Sequence, residues 1–256
     1  MDNAVTNPFD LSGEVALVTG GGSGIGLAIA ESMVAAGAQV ILMGRREGPI
    51  REAAARLGKQ ASYLVHDVTQ LGADSNLAEL AAEKFGPISV LVNNAGVHLK
   101  KPALEISEAE FQTVLATHVL GSHAATRALV PGMLERGRGS VLFIASMASI
   151  FGIPQVLAYS AAKSAMLGMV RTLATELSPQ GVRVNAIATG WIDSAMMRKA
   201  LAGDPRRSEK ILSRTPMQRF GQPGEIGPAA VFLSSPAASF ITGVCLPVDG
   251  GVSIGF

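Results

Sequence analysis

Apolar residues in this chain fall into short unbroken runs, separated by longer stretches in which they recur at helical spacing. The runs predict strands over residues 15–19, 39–43, 62–66, 89–92, 140–145, 183–187 and 244–248. Most are continuous Val, Ile and Leu, the pattern of a strand covered on both faces. The stretches between them predict helices over residues 24–36, 47–57, 73–85, 108–136, 157–178 and 224–233. Such alternation predicts an α/β fold: a Rossmann-type, doubly wound sheet of about seven parallel strands with helices on both faces. No linker, repeat or charge block interrupts it, so residues 1–256 read as one domain. Residues 189–221 lack periodicity and carry Gly203, Asp204-Pro205, Pro216 and Gly221 as breakers, which predicts an irregular substrate lid.

Composition narrows the function classes. The formal charge is +1 and only 16% of residues are charged, so no field suited to nucleic acid or an anionic membrane is present. At 48% hydrophobic the chain has ample material for a core and for subunit contacts. The lone Cys245 excludes an internal disulfide, and no Cys/His spacing suits zinc, so no metal is expected. The first basic residue is Arg45, which argues against a signal or transit peptide and for a cytoplasmic protein. The uncharged stretch 139–162 is long enough for a membrane span, but Ser146, Pro154, Gln155 and Tyr159 within it argue against one.

The first strand runs into Thr19-Gly20-Gly21-Gly22-Ser23-Gly24-Ile25-Gly26 and then into an apolar helix start. Glycines there permit the turn and let the backbone approach a pyrophosphate, and the helix N-terminus offers it N–H groups and a dipole. The second strand ends at Gly44-Arg45-Arg46. An acidic residue at that point would accept from a free ribose 2′-hydroxyl; glycine and arginine instead suit a 2′-phosphate, so NADP is expected over NAD. Tyr159 and Lys163 stand at i and i+4 on a predicted helix, so phenol and ammonium share a face, and the ammonium is expected to lower the tyrosine pKa toward a working general acid/base.

With Asn93-Asn94-Ala95-Gly96 after the fourth strand, Ser146 after the fifth, and Tyr159-x-x-x-Lys163 beyond it, the chain resembles a short-chain dehydrogenase/reductase from about Phe9 to Gly251. Phe9-Asp10-Leu11-Ser12-Gly13 and Gly44-Arg45 resemble gluconate 5-dehydrogenase-like members, with 3-oxoacyl-carrier-protein reductases nearly as similar. The resemblance implies hydride transfer between a nicotinamide and a carbonyl or secondary alcohol, with Tyr159 as general acid/base, Ser146 on the reacting oxygen and Lys163 on the nicotinamide ribose. It puts Gly20, Gly22, Ser23, Gly24, Ile25 and Gly26 around the pyrophosphate and Asp67 and Val68 along the adenine. Asn93 falls near the adenosine ribose, Ala95 and Gly96 also on the cofactor, and Gly190, Ile192 and Ser194 near the carboxamide. Asn185 is implied to be structural, and the assembly a homotetramer.

Two positions depart from the family. Thr189-Gly190 stands where Pro-Gly is usual, and His118 where the family has the asparagine of its catalytic tetrad. Histidine keeps the backbone carbonyl that helps hold a relay water, so it is either a packed core residue or a new participant. It also leaves open a catalytically weak cofactor sensor or scaffold, and an epimerase or dehydratase on the same fold is a second alternative. Between Asp193 and Arg219 basic residues exceed acidic ones by four, and His98, Lys100 and Lys101 lie toward the same edge. An anionic substrate, a keto-sugar acid or a 3-oxoacyl thioester, would suit that rim. Met147, Met196, Met197 and residues 150–157 are candidates for an adaptable pocket wall.

Overall fold

The computed structural model describes residues 7–70 and 76–255. Its strands are β1 (Val15–Thr19), β2 (Gln39–Gly44), β3 (Ala61–Val65), β4 (Val90–Asn93), β5 (Gly139–Ser146), β6 (Val182–Thr189) and β7 (Cys245–Val248). They form one seven-stranded sheet in the order β3-β2-β1-β4-β5-β6-β7, every pair parallel. The helices are α1 (Gly24–Ala35), α2 (Glu47–Leu57), α3 (Leu77–Phe85), α4 (Glu108–Leu115), α5 (Gly121–Glu135), α6 (Leu157–Leu177), α7 (Ala195–Leu201), α8 (Pro205–Arg214) and α9 (Gly227–Ser234).

Both faces of the sheet are apolar, which is why the strands are unbroken runs. Ala16 and Val18 of β1 point into a core shared with Ile29 and Met33 of α1, Ile50 of α2 and Ala230 of α9. Val15 and Leu17 point the other way, into a core with Leu77 of α3, Leu129 of α5 and Met166 and Val170 of α6. Asn185 is buried in β6 and serves its backbone neighbours: Nδ2 donates 3.0 Å to the Ile241 carbonyl and Oδ1 accepts at 3.2 Å from the Val244 N–H. No helix among the described residues is long and apolar enough to cross a membrane.

The elements differ from the sequence expectation in three places. The predicted helix 108–136 starts with a Ser107/Glu110 capping box but is not uniform; a π turn, Ala116–Leu120, separates α4 from α5 and carries His118. The lid is not irregular: it holds α7 and α8, and the expected breaker Asp204-Pro205 is a helix start, with Asp204 accepting from the Arg207 N–H at 3.1 Å and Pro205 in the first turn. Of the predicted helix 73–85, α3 covers Leu77–Phe85, and residues 73–75 lie outside the described residues.

Candidate active site

The strand order reverses between β1 and β4, and a cleft of about 320 Å3 opens beyond the strand carboxyl ends at that point, as expected for an open parallel sheet. The turn between β1 and α1 forms its floor. Gly20 and Gly24 have φ of +66° and +55°, which favours glycine, and a Cβ on Gly26 would lie 2.4 Å from Asn94 Nδ2 and 2.5 Å from the Gly20 carbonyl oxygen. Gly20, Gly22, Ser23, Gly24, Ile25 and Gly26 all line the cleft. Ser23 precedes α1 in extended conformation and makes no side-chain cap, and the first turn of α1 has no acid, so its N–H groups and positive dipole end face the cleft uncompensated.

Arg45, Arg46, Asp67 and Val68 line the cleft's outer end, Arg45 3.7 Å from the Asp67 carboxylate. Ala95 and Gly96 line it too; Asn93 does not. The Asn93 side chain is buried under α5, where Nδ2 donates to Thr126 Oγ1 at 3.3 Å, because adjacent positions leaving a strand point to opposite sides. Its neighbour Asn94 faces the cleft instead. Asn94 Nδ2 donates to the Thr19 carbonyl at 2.8 Å, and Thr19 Oγ1 accepts from the Asn94 and Ala95 N–H groups, each at 2.9 Å. This clasp of Thr19 and Asn94 fixes the turn against β4. The doubled asparagine was its only signal in the sequence.

Tyr159 and Lys163 project from one face of α6, the Lys163 ammonium 5.5 Å from the Tyr159 ring centroid. Lys163 is 3% exposed, and its ammonium donates to the Ile144 carbonyl at the end of β5. Burial pushes Lys163 down to about 7. The expected lowering of Tyr159 is corrected: burial raises its pKa, and a hydrogen bond with Ser146 only partly opposes this. The ammonium lies over the ring and is committed to a backbone carbonyl, so it does little for the phenolate oxygen. Ser146 Oγ also accepts from the Ala148 N–H at 3.2 Å, at the start of a short turn that continues β5.

Two histidines flank the tyrosine. The His118 ring meets it edge-on, centroids 5.4 Å apart and planes at 85°; the His98 ring lies 5.3 Å away, tilted by 54°. His118 is 1% exposed and packs against Gly96, where a Cβ would lie 2.4 Å from its Cε1. Its Nε2 sits 3.1 Å from the Val97 amide nitrogen and 2.8 Å from the Val97 carbonyl oxygen, so either tautomer finds a partner there. Burial, with the Lys163 charge adding to it, pushes His118 down to about 3. Burial also lowers His98, helped by Arg207 and Lys100. His98 had been noted only as part of a charged rim; its contact with Tyr159 depends on the loop after Gly96, which periodicity does not place.

Beside the cleft lies a smaller chamber of about 100 Å3 that shares Ile25, Tyr159, Thr189, Ser194 and Met196 with it. Ser146, Gly190, Ile192 and the three candidate methionines face this chamber, and Tyr159 borders both spaces. Gly190 packs on Asp249, where a Cβ would lie 2.5 Å from its Cα. Lys100 and Lys101 are not free rim charges: Lys100 donates to the Ala200 carbonyl at 3.0 Å and lies 3.5 Å from Asp204, while Lys101 pairs with Glu110 at 2.9 Å. Among the described residues no group of three or more His, Cys, Asp or Glu side chains could hold a metal ion.

Residues 20–253 match the family described as enoyl-(acyl carrier protein) reductase. Galactitol 2-dehydrogenase (L-tagatose-forming) of Cereibacter sphaeroides is 42% identical over 249 residues, which cover 96% of this chain and 97% of that protein. A 3-oxoacyl-(acyl-carrier-protein) reductase of Thermotoga maritima is 34% identical over 95% of this chain and 99% of its own length. The crystal structure of a gluconate 5-dehydrogenase from Burkholderia cenocepacia, in complex with NADP and tartrate, superimposes with a TM-score of 0.93 at 30% identity, covering 97% of this chain and 98% of that one.

Proposed function

The chain belongs to the short-chain dehydrogenase/reductase family, and on that footing we propose that it is an NADP(H)-dependent enzyme interconverting a carbonyl and a secondary alcohol on an anionic small molecule. The observation that carries this is the junction of the two spaces at Tyr159: Ser146 stands on the chamber side, and Lys163 and the glycine turn on the cleft side.

The residues present fit the cofactor. The uncapped N-terminus of α1, free of acids, suits a pyrophosphate, with Gly22, Ser23, Gly24 and Ile25 as its backbone cradle. Gly44, Arg45 and Arg46 suit a 2′-phosphate, bound bidentately by a guanidinium, and support NADP over NAD. Asp67 and Val68 would flank the adenine and Ala95 and Gly96 the adenosine ribose. Gly190, Ile192 and Ser194 would hold the carboxamide end from the lid at 189–221.

When bound, NADP(H) gives or takes a hydride at the nicotinamide C4; the chain handles the proton and the oxygen. In reduction Tyr159 donates its phenolic proton to the carbonyl oxygen while the Ser146 hydroxyl hydrogen-bonds the same oxygen. Burial raises the pKa of Tyr159, so its phenol is protonated at neutral pH and able to donate. Lys163, close to half-protonated near neutrality, would bind the nicotinamide ribose and pass protons toward solvent. His118, neutral far below physiological pH, is no proton carrier. It acts as a positioning residue, bracing the Tyr159 ring and the Val97 backbone.

The gluconate and 3-oxoacyl-carrier-protein relatives support an anionic sugar-acid or acyl ketone as substrate class, whereas the galactitol relative is named for an uncharged polyol. Exposed Leu104, Phe240 and Ile254 support subunit contacts and a homotetramer. A single cysteine suits the reducing cytoplasm. The test is net NADPH oxidation on a panel of keto-sugar acids, 3-oxoacyl thioesters and simple ketones. Tyr159→Phe should slow it by about 100- to 10,000-fold while NADPH affinity holds; retained turnover would show that the proton comes from elsewhere.

A further inference from the structure

The positive charge of the lid gathers on one helix. Arg198 pairs with Asp193 and Arg219 with Glu225, both at 2.6 Å. Arg206, Arg207, Lys210 and Arg214 of α8 enter none of the ion pairs found among the described residues. Of the two acids in this segment, Asp204 caps α8 and lies 3.5 Å from Lys100, and Glu209, within α8, enters none of those ion pairs either. Arg206, Lys210 and Arg214 follow one another at four-residue intervals, so they share a helix face on which like charges repel unless an anion lies between them.

All four cations line a cavity of about 540 Å3, against one acid, Asp204, and the rest of its wall is largely apolar, including Phe151, Ile153, Trp191, Ile211 and Val252. Arg207 is held in place there: its guanidinium donates to Gln155 Oε1 at 3.3 Å and to the Pro154 carbonyl at 3.4 Å. Gln155 has φ of +68°, a left-handed conformation uncommon outside glycine. Ile153 and Trp191 line this cavity and also the chamber that holds Ser146 and Tyr159, so the two spaces share a wall.

We propose that this cavity is an anion subsite for the substrate: a carboxylate or phosphate binds the α8 cations, and an apolar arm along Ile153 and Trp191 joins it to the reacting carbon at Tyr159. The inference rests on the carbonyl-reductase reading and sharpens it. The apolar wall favours an acyl-type arm ending in an anion over a compact polyhydroxy acid. Cations at the far end of such a substrate act on binding and selectivity rather than on the proton transfer itself.

Trp191 is the chain's one tryptophan and reports on both spaces. The full chain, saturated with NADP, is titrated by tryptophan fluorescence with 6-oxoheptanoate, its uncharged methyl ester and 5-oxohexyl phosphate, and NADPH oxidation is followed with each. We expect the two anions to bind about tenfold tighter than the ester, and the tighter of the two identifies the natural terminus. Lys210→Gln with Arg214→Gln should remove that preference by raising KM for the anions, whereas Lys59→Gln, a charge lost outside the cavity, should keep it. Equal binding of acid and ester by the native protein overturns the inference, and so does a preference that survives the double substitution. If the doubly substituted chain does not fold, the native acid-to-ester comparison decides alone. Charge-selective binding with no NADPH oxidation on any compound would count against the reductase reading and leave the subsite standing, so the two failures are distinguishable.

Discussion

The two ring nitrogens of His118 meet different surroundings. Nε2 faces the Val97 backbone, while Nδ1 is buried with no hydrogen-bond partner among the described residues. A charged imidazolium there would lose its hydration and lie close to Lys163, which explains the pKa near 3. The unfolded chain protonates this histidine at its ordinary value of 6.5, so below that pH it binds a proton that the folded chain refuses. His118 therefore stabilises the fold fully above pH 6.5, and the contribution is lost as pH falls from there toward 3. His118→Asn should flatten the dependence of unfolding free energy on pH by about 1.4 kcal/mol per unit between about pH 6 and pH 4. Chemical denaturation across that range checks it; an unchanged slope would mean that the ring titrates normally. The sequence carried the chemistry of Ser146, Tyr159 and Lys163, because that chemistry depends on residue type and helical spacing. It did not carry the sign of the Tyr159 shift, which depends on where an ammonium five bonds from the backbone finds its acceptor.

At the scale of elements, the passage from β1 through the glycine turn to α1 and the end of β2 together make the proposed cofactor half of the site. Arg45 is loosely held by Asp67 at 3.7 Å and exposed, so it is available to a phosphate at little cost. Arg45→Ala should weaken NADPH binding by about ten- to a hundredfold and leave NADH nearly unchanged, measured by titration of both; equal losses would mean that Arg45 is a surface charge. Strands and long helices were legible because both faces of β1 and β2 are covered, which writes continuous apolar runs into the chain. The two lid helices were not. α7 is seven residues long and α8 buries only Ile211, so neither leaves a strong apolar stripe. The π turn at Ala116–Leu120 escaped for a different reason: one widened turn shifts the helix phase without breaking its composition.

Across the whole molecule, three spaces meet end to end at the carboxyl side of the sheet. The cleft over the glycine turn and the chamber at Ser146 share Tyr159, and the chamber and the basic cavity share Trp191. The fold sets this order, since the crevice opens where the strand order reverses between β1 and β4, and Ser194, Ala195 and Met196 of the segment between β6 and α9 line it. A net charge of only +1 conceals the arrangement, because the surplus of the lid is offset elsewhere in the chain. The proposed function rests on transfer of hydride from NADPH in the cleft to a carbonyl held at Tyr159. It is tested most directly by titrating the purified protein with NADPH and NADH, then following oxidation of the preferred one against the carbonyl panel. We expect tighter binding of NADPH with stoichiometric consumption on an anionic ketone. Preference for NADH, or tight binding with no net consumption on any carbonyl, would contradict the account.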